Sequence, residues 1–186
     1  MLAPGYGGTA DQPLLRRLAE RLEAEGIATT RITFSTKRPS RGYVTEKAEL
    51  RTARDVIVAR AGGPVALIGR SFGGRMCAFL AAEEPPDALV ILGHPIAPPD
   101  RPRPADEAAL LGIACPTLVV QGDRDELGPL AVLERIAGQN PRIDLVVLRG
   151  AGHEFGKHEA EAIDAAARWL GSCFAPDLRS SFTSSP

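Results

Sequence analysis

The sequence predicts an α/β fold, in which a mostly parallel central sheet carries helices on both faces. Two observations support this prediction. Short apolar or β-branched runs alternate along the chain with longer stretches whose apolar residues recur at helical spacing. The short runs are apolar throughout, which is typical of parallel strands covered on both sides. With 186 residues, the chain is long enough to form one domain with a sizeable core.

The first element of the predicted sheet is short. Leu2–Pro4 can form only the end of a strand, because Gly5–Gly8 is already a turn. We therefore expect the N-terminal strands of the sheet to be reduced or missing. Two explanations stay open: residues that precede Met1 are absent from this sequence, or the sheet itself is smaller at that point.

Helices and strands then alternate along the chain. Helices are predicted at Gln12–Glu25, Glu46–Ala61, Phe72–Glu83, Leu127–Gly138 and Glu159–Leu170. Strands are predicted at Ile27–Phe34, Val65–Ile68, Ala88–Leu92, Thr117–Gln121 and Ile143–Leu148. The proline-rich segment Ile96–Pro104 is expected to be an extended loop. Residues 1–171 are predicted to form a single domain, and the polar, serine-rich residues 172–186 a flexible tail.

The composition argues against several classes of function. Hydrophobic residues make up 44% of the chain and the net charge is −1, without the clustered basic residues that bind nucleic acid. No apolar run approaches the ~20 residues of a membrane span, and the N-terminus lacks the features of a secretory signal. Three cysteines without C-x-x-C spacing are expected to be reduced, in a cytoplasmic protein. Cys77 lies among apolar residues and is interpreted as core packing.

The most informative motif is Gly69-Arg70-Ser71-Phe72-Gly73, which follows the predicted strand Val65–Ile68 and opens a predicted helix. Strand, sharp turn and helix form the context in which G-x-S-x-G presents a nucleophilic serine. The flanking glycines leave room for the strained turn. Ser71 is therefore the candidate nucleophile.

A serine hydroxyl needs a base within hydrogen-bond reach and an acid that orients the base. His153 follows the last predicted strand in a glycine-rich turn, where parallel-sheet proteins place site residues, and is the candidate base. Asp123 and Asp125 both follow the strand Thr117–Gln121. We favour Asp125 as the acid, since Asp123 is close enough to the strand to bond the turn backbone instead. The order serine, aspartate, histidine is that of α/β hydrolases.

Several other residues complete the candidate site. The backbone N–H groups of Phe72 and Tyr6 are the candidate donors of an oxyanion hole. His94 and Arg70 are candidate pocket-lining residues, although Arg70 could equally pair inside the protein. Arg75 is interpreted as structural, and His158 as a surface residue or helix cap.

With these residues in place, the chain resembles the α/β-hydrolase superfamily and its small, lid-poor dienelactone-hydrolase-like branch. Within that branch it is most similar to the testis-expressed and histone-acetyltransferase-complex-subunit hydrolase-like family. The resemblance extends from Leu2 to about Leu170 and rests on the segments Pro4–Gly8, Gly69–Arg75, Gly93–Pro95, Cys115–Asp125 and Gly152–His153. It implies Ser71 as nucleophile, Asp125 as acid and His153 as base. Dienelactone hydrolases proper use a cysteine nucleophile, so Ser71 indicates a different chemistry here.

The function predicted is hydrolysis of small carboxylic esters by a serine hydrolase, with no cofactor and a small-molecule ester as the partner. Two alternatives stay open. The first is a non-catalytic interaction module with the same fold. The second is an NADP-binding domain, because Gly5–Ala10 fits G-x-G-x-x-A and Arg31, Lys37 and Arg38 could hold a 2′-phosphate. No metal site is expected, because His153 and His158 are one residue too far apart for the H-E-x-x-H pattern.

Overall fold

The computed structural model describes residues 1–175. Its centre is a sheet of five parallel strands, paired in chain order. The strands are β1 (Leu2–Ala3), β2 (Ala66–Arg70), β3 (Ala88–Leu92), β4 (Thr117–Gly122) and β5 (Ile143–Leu148). The predicted α/β fold is confirmed, and the first strand is reduced to two residues.

Six α-helices cover the two faces of this sheet. They are α1 (Pro13–Glu23), α2 (Val44–Ala61), α3 (Phe72–Glu83), α4 (Pro104–Gly112), α5 (Leu130–Gln139) and α6 (Glu159–Phe174). Short 3-10 turns at Arg41–Tyr43 and Gly156–His158 precede α2 and α6. Helices α1 and α6 pack on one face, and α2, α3, α4 and α5 on the other.

The core consists of two clusters, one on each face of the sheet. Successive side chains of a strand point to opposite faces, so neighbouring strand residues belong to different clusters. Leu67 packs with α3 while Ile68 packs with α1. Cys77 is fully buried in the first cluster, and burial raises the pKa of its thiol to about 12. A thiol that stays protonated is a packing residue and not a nucleophile.

The predicted strand Ile27–Phe34 is wrong. In the structure this segment makes only one parallel bridge, between Leu2 and Arg31. The bridge contains two backbone hydrogen bonds, from Leu2 N to Thr30 O and from Ile32 N to Leu2 O. A two-residue β1 offers no ladder along which a longer partner strand could pair.

The proline-rich segment also departs from expectation at its end. Helix α4 begins at Pro104, the last residue of the predicted loop Ile96–Pro104. Proline is well suited to the first position of a helix, where its missing N–H costs no hydrogen bond. Asp106 and Glu107 in the first turn add favourable charge at the helix N-terminus.

The last helix is longer than predicted and ends at Phe174 instead of Leu170. The predicted tail at residues 172–186 therefore begins with helix, and residues 176–186 lie outside the described part of the chain. Among residues 1–175, no helix combines the length and the apolar character needed to cross a membrane.

Candidate active site

Ser71 stands in the sharp turn between β2 and α3. Its φ is +49°, a conformation that side chains rarely adopt. A Cβ atom at Gly69 would overlap the backbone of Gly73 and Gly74, and a Cβ atom at Gly73 would overlap the carbonyl of Ala3. The two glycines of the motif therefore allow the close approach of strand and helix that lifts Ser71 to the carboxyl edge of the sheet.

Three side chains from separate loops meet at this edge. Ser71 Oγ lies 2.8 Å from His153 Nε2. His153 Nδ1 lies 2.8 Å from Asp125 Oδ2. These residues follow β2, β5 and β4, and parallel strands bring their carboxyl ends to one edge. With Nδ1–H donating to the carboxylate, Nε2 is free to accept the proton of the serine hydroxyl.

Asp125 is a buried carboxylate with a full set of donors. Besides the His153 contact, Oδ2 accepts a hydrogen bond from Gln121 Nε2 at 2.7 Å. Oδ1 accepts from the amides of Leu127 and Gly128. Burial opposes ionisation of the side chain, but the bonds from His153 and the two amides outweigh it and lower the pKa of Asp125. The group is therefore an anion at neutral pH.

Gln121 is a site residue that the sequence analysis missed. Its amide is fully buried, donates to Asp125 and to Gly128 O, and accepts from His94 N. A polar residue near the end of the otherwise apolar strand β4 was the signal that could have indicated it. Gln12 was missed in the same way; its Oε1 accepts from the amide of Gly5 at 3.0 Å and fixes the loop after β1.

Asp123, the other candidate acid, points elsewhere. Its Oδ1 accepts a hydrogen bond from the amide of Gly150 at 2.6 Å. Gly150 belongs to the turn that leads to His153, so Asp123 ties the two loops together without touching the imidazole.

Arg70 is buried and pairs inside the protein, which is one of the two possibilities that the sequence left open. Its guanidinium donates to the carbonyls of Leu92 at 3.2 Å and His153 at 2.6 Å. It also pairs with Glu154 at 3.1 Å and lies over the ring of Phe155. Burial lowers the pKa of Arg70, and the Glu154 carboxylate partly offsets this. The side chain turns inward because the histidine loop supplies one acceptor and a counter-ion, and the end of β3 supplies the second acceptor.

His94 is also buried and does not reach an open pocket. Its Nε2 lies 4.0 Å from Asp106 Oδ1, and neither ring nitrogen has a hydrogen-bond partner among residues 1–175. Burial lowers the pKa of His94 to about 4, so the ring is neutral at pH 7. Asp106 is instead the partner of Arg75, which it binds through both carboxylate oxygens.

The two candidate oxyanion donors are the amides of residues whose rings are in contact. Phe72 is the first residue of α3, where an amide has no acceptor within the helix. Tyr6 is in the loop after β1, and its ring meets that of Phe72 edge to face, with centroids 6.2 Å apart. In the described part of the chain, neither amide donates to a protein acceptor.

The nucleotide-binding alternative does not fit the loop after β1. In dinucleotide-binding folds the glycine-rich loop follows a central first strand. Here β1 has two residues and stands first in the order of strands. The Gly5 amide is also already occupied by Gln12.

The cavities of the described structure include two of substantial volume. One of about 460 Å³ lies next to Phe72, the residue after Ser71, and is bounded by the loop after β1, residues 33–37 and Pro39. A larger one of about 1110 Å³ lies at the amino end of β2, between α2 and the start of the chain. Neither cavity is lined by Ser71, Asp125 or His153. The smaller one is lined by Tyr6 and Phe72, the residues of the two candidate oxyanion donors, and is therefore adjacent to the candidate site. Among residues 1–175, no three His, Cys, Asp or Glu side chains are grouped to hold a metal ion.

Comparison with known proteins places this chain in a family. The family model described as alpha/beta hydrolase domain matches residues 1–172. An alpha-beta serine hydrolase homologue from Coxiella burnetii is 26% identical, with a TM-score of 0.76 over 91% of this chain and 83% of its own. Dienelactone hydrolase from Anabaena variabilis is 26% identical, with a TM-score of 0.72 over 93% and 83%.

Est1E from Butyrivibrio proteoclasticus, solved with ferulic acid bound, has a TM-score of 0.78 over 94% of this chain and 88% of its own. It is 16% identical and therefore shows the shared fold alone. No curated protein matches the sequence. The narrower resemblance to the testis-expressed family stays a prediction, whereas hydrolase activity is what the fold and its relatives support. The family model spans nearly the whole chain, and on that ground the protein belongs to the alpha/beta hydrolases.

Proposed function

We propose that the protein is a serine hydrolase that cleaves small carboxylic esters through an acyl-enzyme intermediate. The single observation that carries the proposal is the continuous chain of contacts from Ser71 through His153 to Asp125, with 2.8 Å at each step. Burial of Asp125 and its amide donors support the same reading, because they keep the carboxylate ionised and oriented toward the imidazole.

In the proposed first step, Ser71 Oγ bonds to the ester carbonyl carbon while its proton passes to His153 Nε2. The carbonyl electron pair moves onto oxygen, and the amides of Tyr6 and Phe72 stabilise the resulting oxyanion. Asp125 holds the imidazole in the correct tautomer and stabilises the imidazolium that forms.

In the second step the bond to the alcohol breaks, and the leaving alkoxide takes the proton from His153. Water then attacks the acyl group on Ser71, with His153 again accepting a proton. Collapse of this second intermediate returns the proton to Ser71 Oγ and releases the carboxylic acid.

Replacement of the nucleophile tests this proposal. Ser71→Ala is expected to lower kcat for p-nitrophenyl acetate by about 10³-fold or more and to abolish labelling by a fluorophosphonate probe. The matched control is Ser172→Ala, which removes an exposed hydroxyl bonded only to the carbonyl of Trp169. Circular dichroism would establish that both variants are folded.

Hydrolysis of p-nitrophenyl acetate by Ser71→Ala at the wild-type rate would refute the proposal. A folded wild-type protein that neither reacts with the probe nor turns over any ester would favour the non-catalytic interaction module instead.

A further inference from the structure

The smaller cavity, next to Phe72, has two walls and shares residues with the candidate oxyanion hole. One wall is the loop Gly5–Thr9, which includes Tyr6, and the other is the segment Thr33–Lys37 together with Pro39. Phe72 closes the cavity between them. Phe72 directly follows Ser71, and a Cβ atom built at Gly5 would lie 3.7 Å from the Cβ of Ser71, so both ends of the cavity are close to the nucleophile. A substrate held at Ser71 could therefore extend a second group into this cavity.

The one charged residue that lines this cavity in the described structure is a cation. Lys37 is the only lysine or arginine among its lining residues, and no carboxylate lines it. The segment 31–41 carries four cations (Arg31, Lys37, Arg38 and Arg41) and no acidic residue. Arg31 approaches Asp11 at 4.0 Å, whereas Lys37 forms no ion pair within residues 1–175. A cleft lined by one sign of charge concentrates ligands of the opposite sign.

The hydroxyl groups near Lys37 are already engaged with the protein. Ser35 Oγ donates to Glu49, and Thr36 Oγ1 donates to Glu46 at 2.6 Å. Thr33 Oγ1 accepts from the amide of Ala10 at 2.8 Å. The Lys37 ammonium, with three N–H donors, is therefore the strongest donor left to a ligand in this cavity.

The backbone that carries Lys37 is anchored on both sides. Glu46, fully buried at the start of α2, accepts from Thr36 Oγ1 and from the amide and hydroxyl of Ser40. Burial opposes ionisation of Glu46, but these bonds outweigh it and lower its pKa. Because the flanking residues are held, binding a ligand needs to order only the lysine side chain.

We propose that this cavity binds a second acidic group of the substrate, a carboxylate or a phosphate, with the Lys37 ammonium as its counter-ion. The preferred substrates are then anionic esters. This inference rests on the proposed ester hydrolysis at Ser71 and adds a substrate class to it. It also gives a role to the glycine-rich loop and to Lys37, which the sequence analysis associated with a nucleotide phosphate.

The experiment measures a preference ratio, the kcat/KM of an anionic ester divided by that of its neutral methyl ester. Mono-p-nitrophenyl succinate carries the carboxylate on the acyl side, 4-acetoxybenzoate carries it on the alcohol side, and 4-acetoxyphenyl phosphate replaces it by a phosphate. We expect a ratio of about five or more for at least one of these pairs in the wild type, and a ratio near one in Lys37→Gln. High salt should lower the wild-type ratio, because Lys37 is exposed to solvent.

The matched control is Arg142→Gln, which removes an exposed cation at the amino end of β5, the sheet edge opposite Ser71. It should leave the ratio at the wild-type value. A wild-type ratio near one for all pairs, or a Lys37→Gln ratio equal to that of the wild type, would overturn the inference. Ester hydrolysis that depends on Ser71, with a preference ratio near one for every pair, would overturn this inference and leave the proposed function intact.

A second measurement is independent of turnover. Succinate or inorganic phosphate should raise the Tm of the wild type and of Ser71→Ala, and should not raise that of Lys37→Gln. The absence of any shift in the wild type with either anion would count against the inference, whatever the kinetics of ester hydrolysis.

Discussion

Arg70 joins the residue before the nucleophile to the loop that carries the imidazole. Its guanidinium bonds the backbone carbonyl of His153 at 2.6 Å, and its Nη1 lies 3.3 Å from the Nε2 of the same residue. It also holds the carbonyl of Leu92 at the end of β3. We interpret Arg70 as a positioning residue, because it sets where the imidazole stands relative to Ser71.

Replacing Arg70 should therefore affect kcat more than KM. For Arg70→Met we expect kcat to fall by about 10² and the free energy of unfolding by about 2–4 kcal/mol, since the carbonyl of His153 loses its Arg70 donor and that of Leu92 keeps only the Ser71 amide. Arg70→Lys should recover part of kcat by bonding one of them. Steady-state kinetics and urea unfolding measure the two effects. A kcat for Arg70→Met equal to that of the wild type would show that the loop holds the imidazole without this contact.

At the scale of elements, the turn between β2 and α3 depends on backbone contact that only glycine permits. Gly69 faces the backbone of Gly73 and Gly74 across the turn, with no room for a methyl group. The neighbouring Ser71 has a positive φ, which the packed strand and helix must hold in place. The position of the serine hydroxyl is thus a property of the strand–helix pair.

Gly69→Ala should lower the free energy of unfolding by about 3 kcal/mol or more, because backbone atoms must shift to admit the new methyl group. Gly138→Ala is the matched control. Gly138 lies in α5 with open space at its Cβ position, so alanine there should stabilise the protein by about 0.5–1 kcal/mol. Urea unfolding of both variants checks the contrast. Equal stability of Gly69→Ala and the wild type would mean that the turn relaxes at no cost.

At the scale of the whole molecule, His94 couples stability to pH. It is buried where β3 ends, facing Asp106, Arg75, Arg103 and Asp125. Burial lowers its pKa to about 4, with the arginines adding to the shift and the carboxylates opposing it. The unfolded chain binds a proton at this histidine below about pH 6.5, whereas the folded chain does so only below about pH 4. As the pH falls, the unfolded state therefore binds the proton at His94 before the folded state does. The contribution of the neutral, buried His94 to stability is lost in that range.

We expect the free energy of unfolding attributable to His94 to fall by about 2 kcal/mol between pH 7 and pH 5. His94→Gln should remove this part of the pH dependence, while His158→Gln, just before α6, should retain it. Urea unfolding at pH 7, 6 and 5 measures the difference. If the free energy of unfolding depended on pH equally in the wild type and in His94→Gln, the burial of a neutral His94 ring would be contradicted.

The sequence by itself determined the features that depend on local pattern. Apolar runs predicted four of the five strands to within two residues, since a strand covered on both faces must be apolar throughout. The spacing of glycines around Ser71 predicted the turn, because the steric limits on backbone conformation are local. The roles of Ser71, Asp125 and His153 stay predictions until the variants are measured.

Only the tertiary structure decided which groups meet and which are buried. A short β1 left residues 27–34 without a ladder, although their β propensity is high. Arg70 and His94 are buried. The loops that cover them are distant in sequence, so their burial could not be predicted from local pattern. Gln121 and Lys37 acquired their surroundings in the same way. Side-chain environment depends on contacts between remote segments, and no local pattern of residues encodes these contacts.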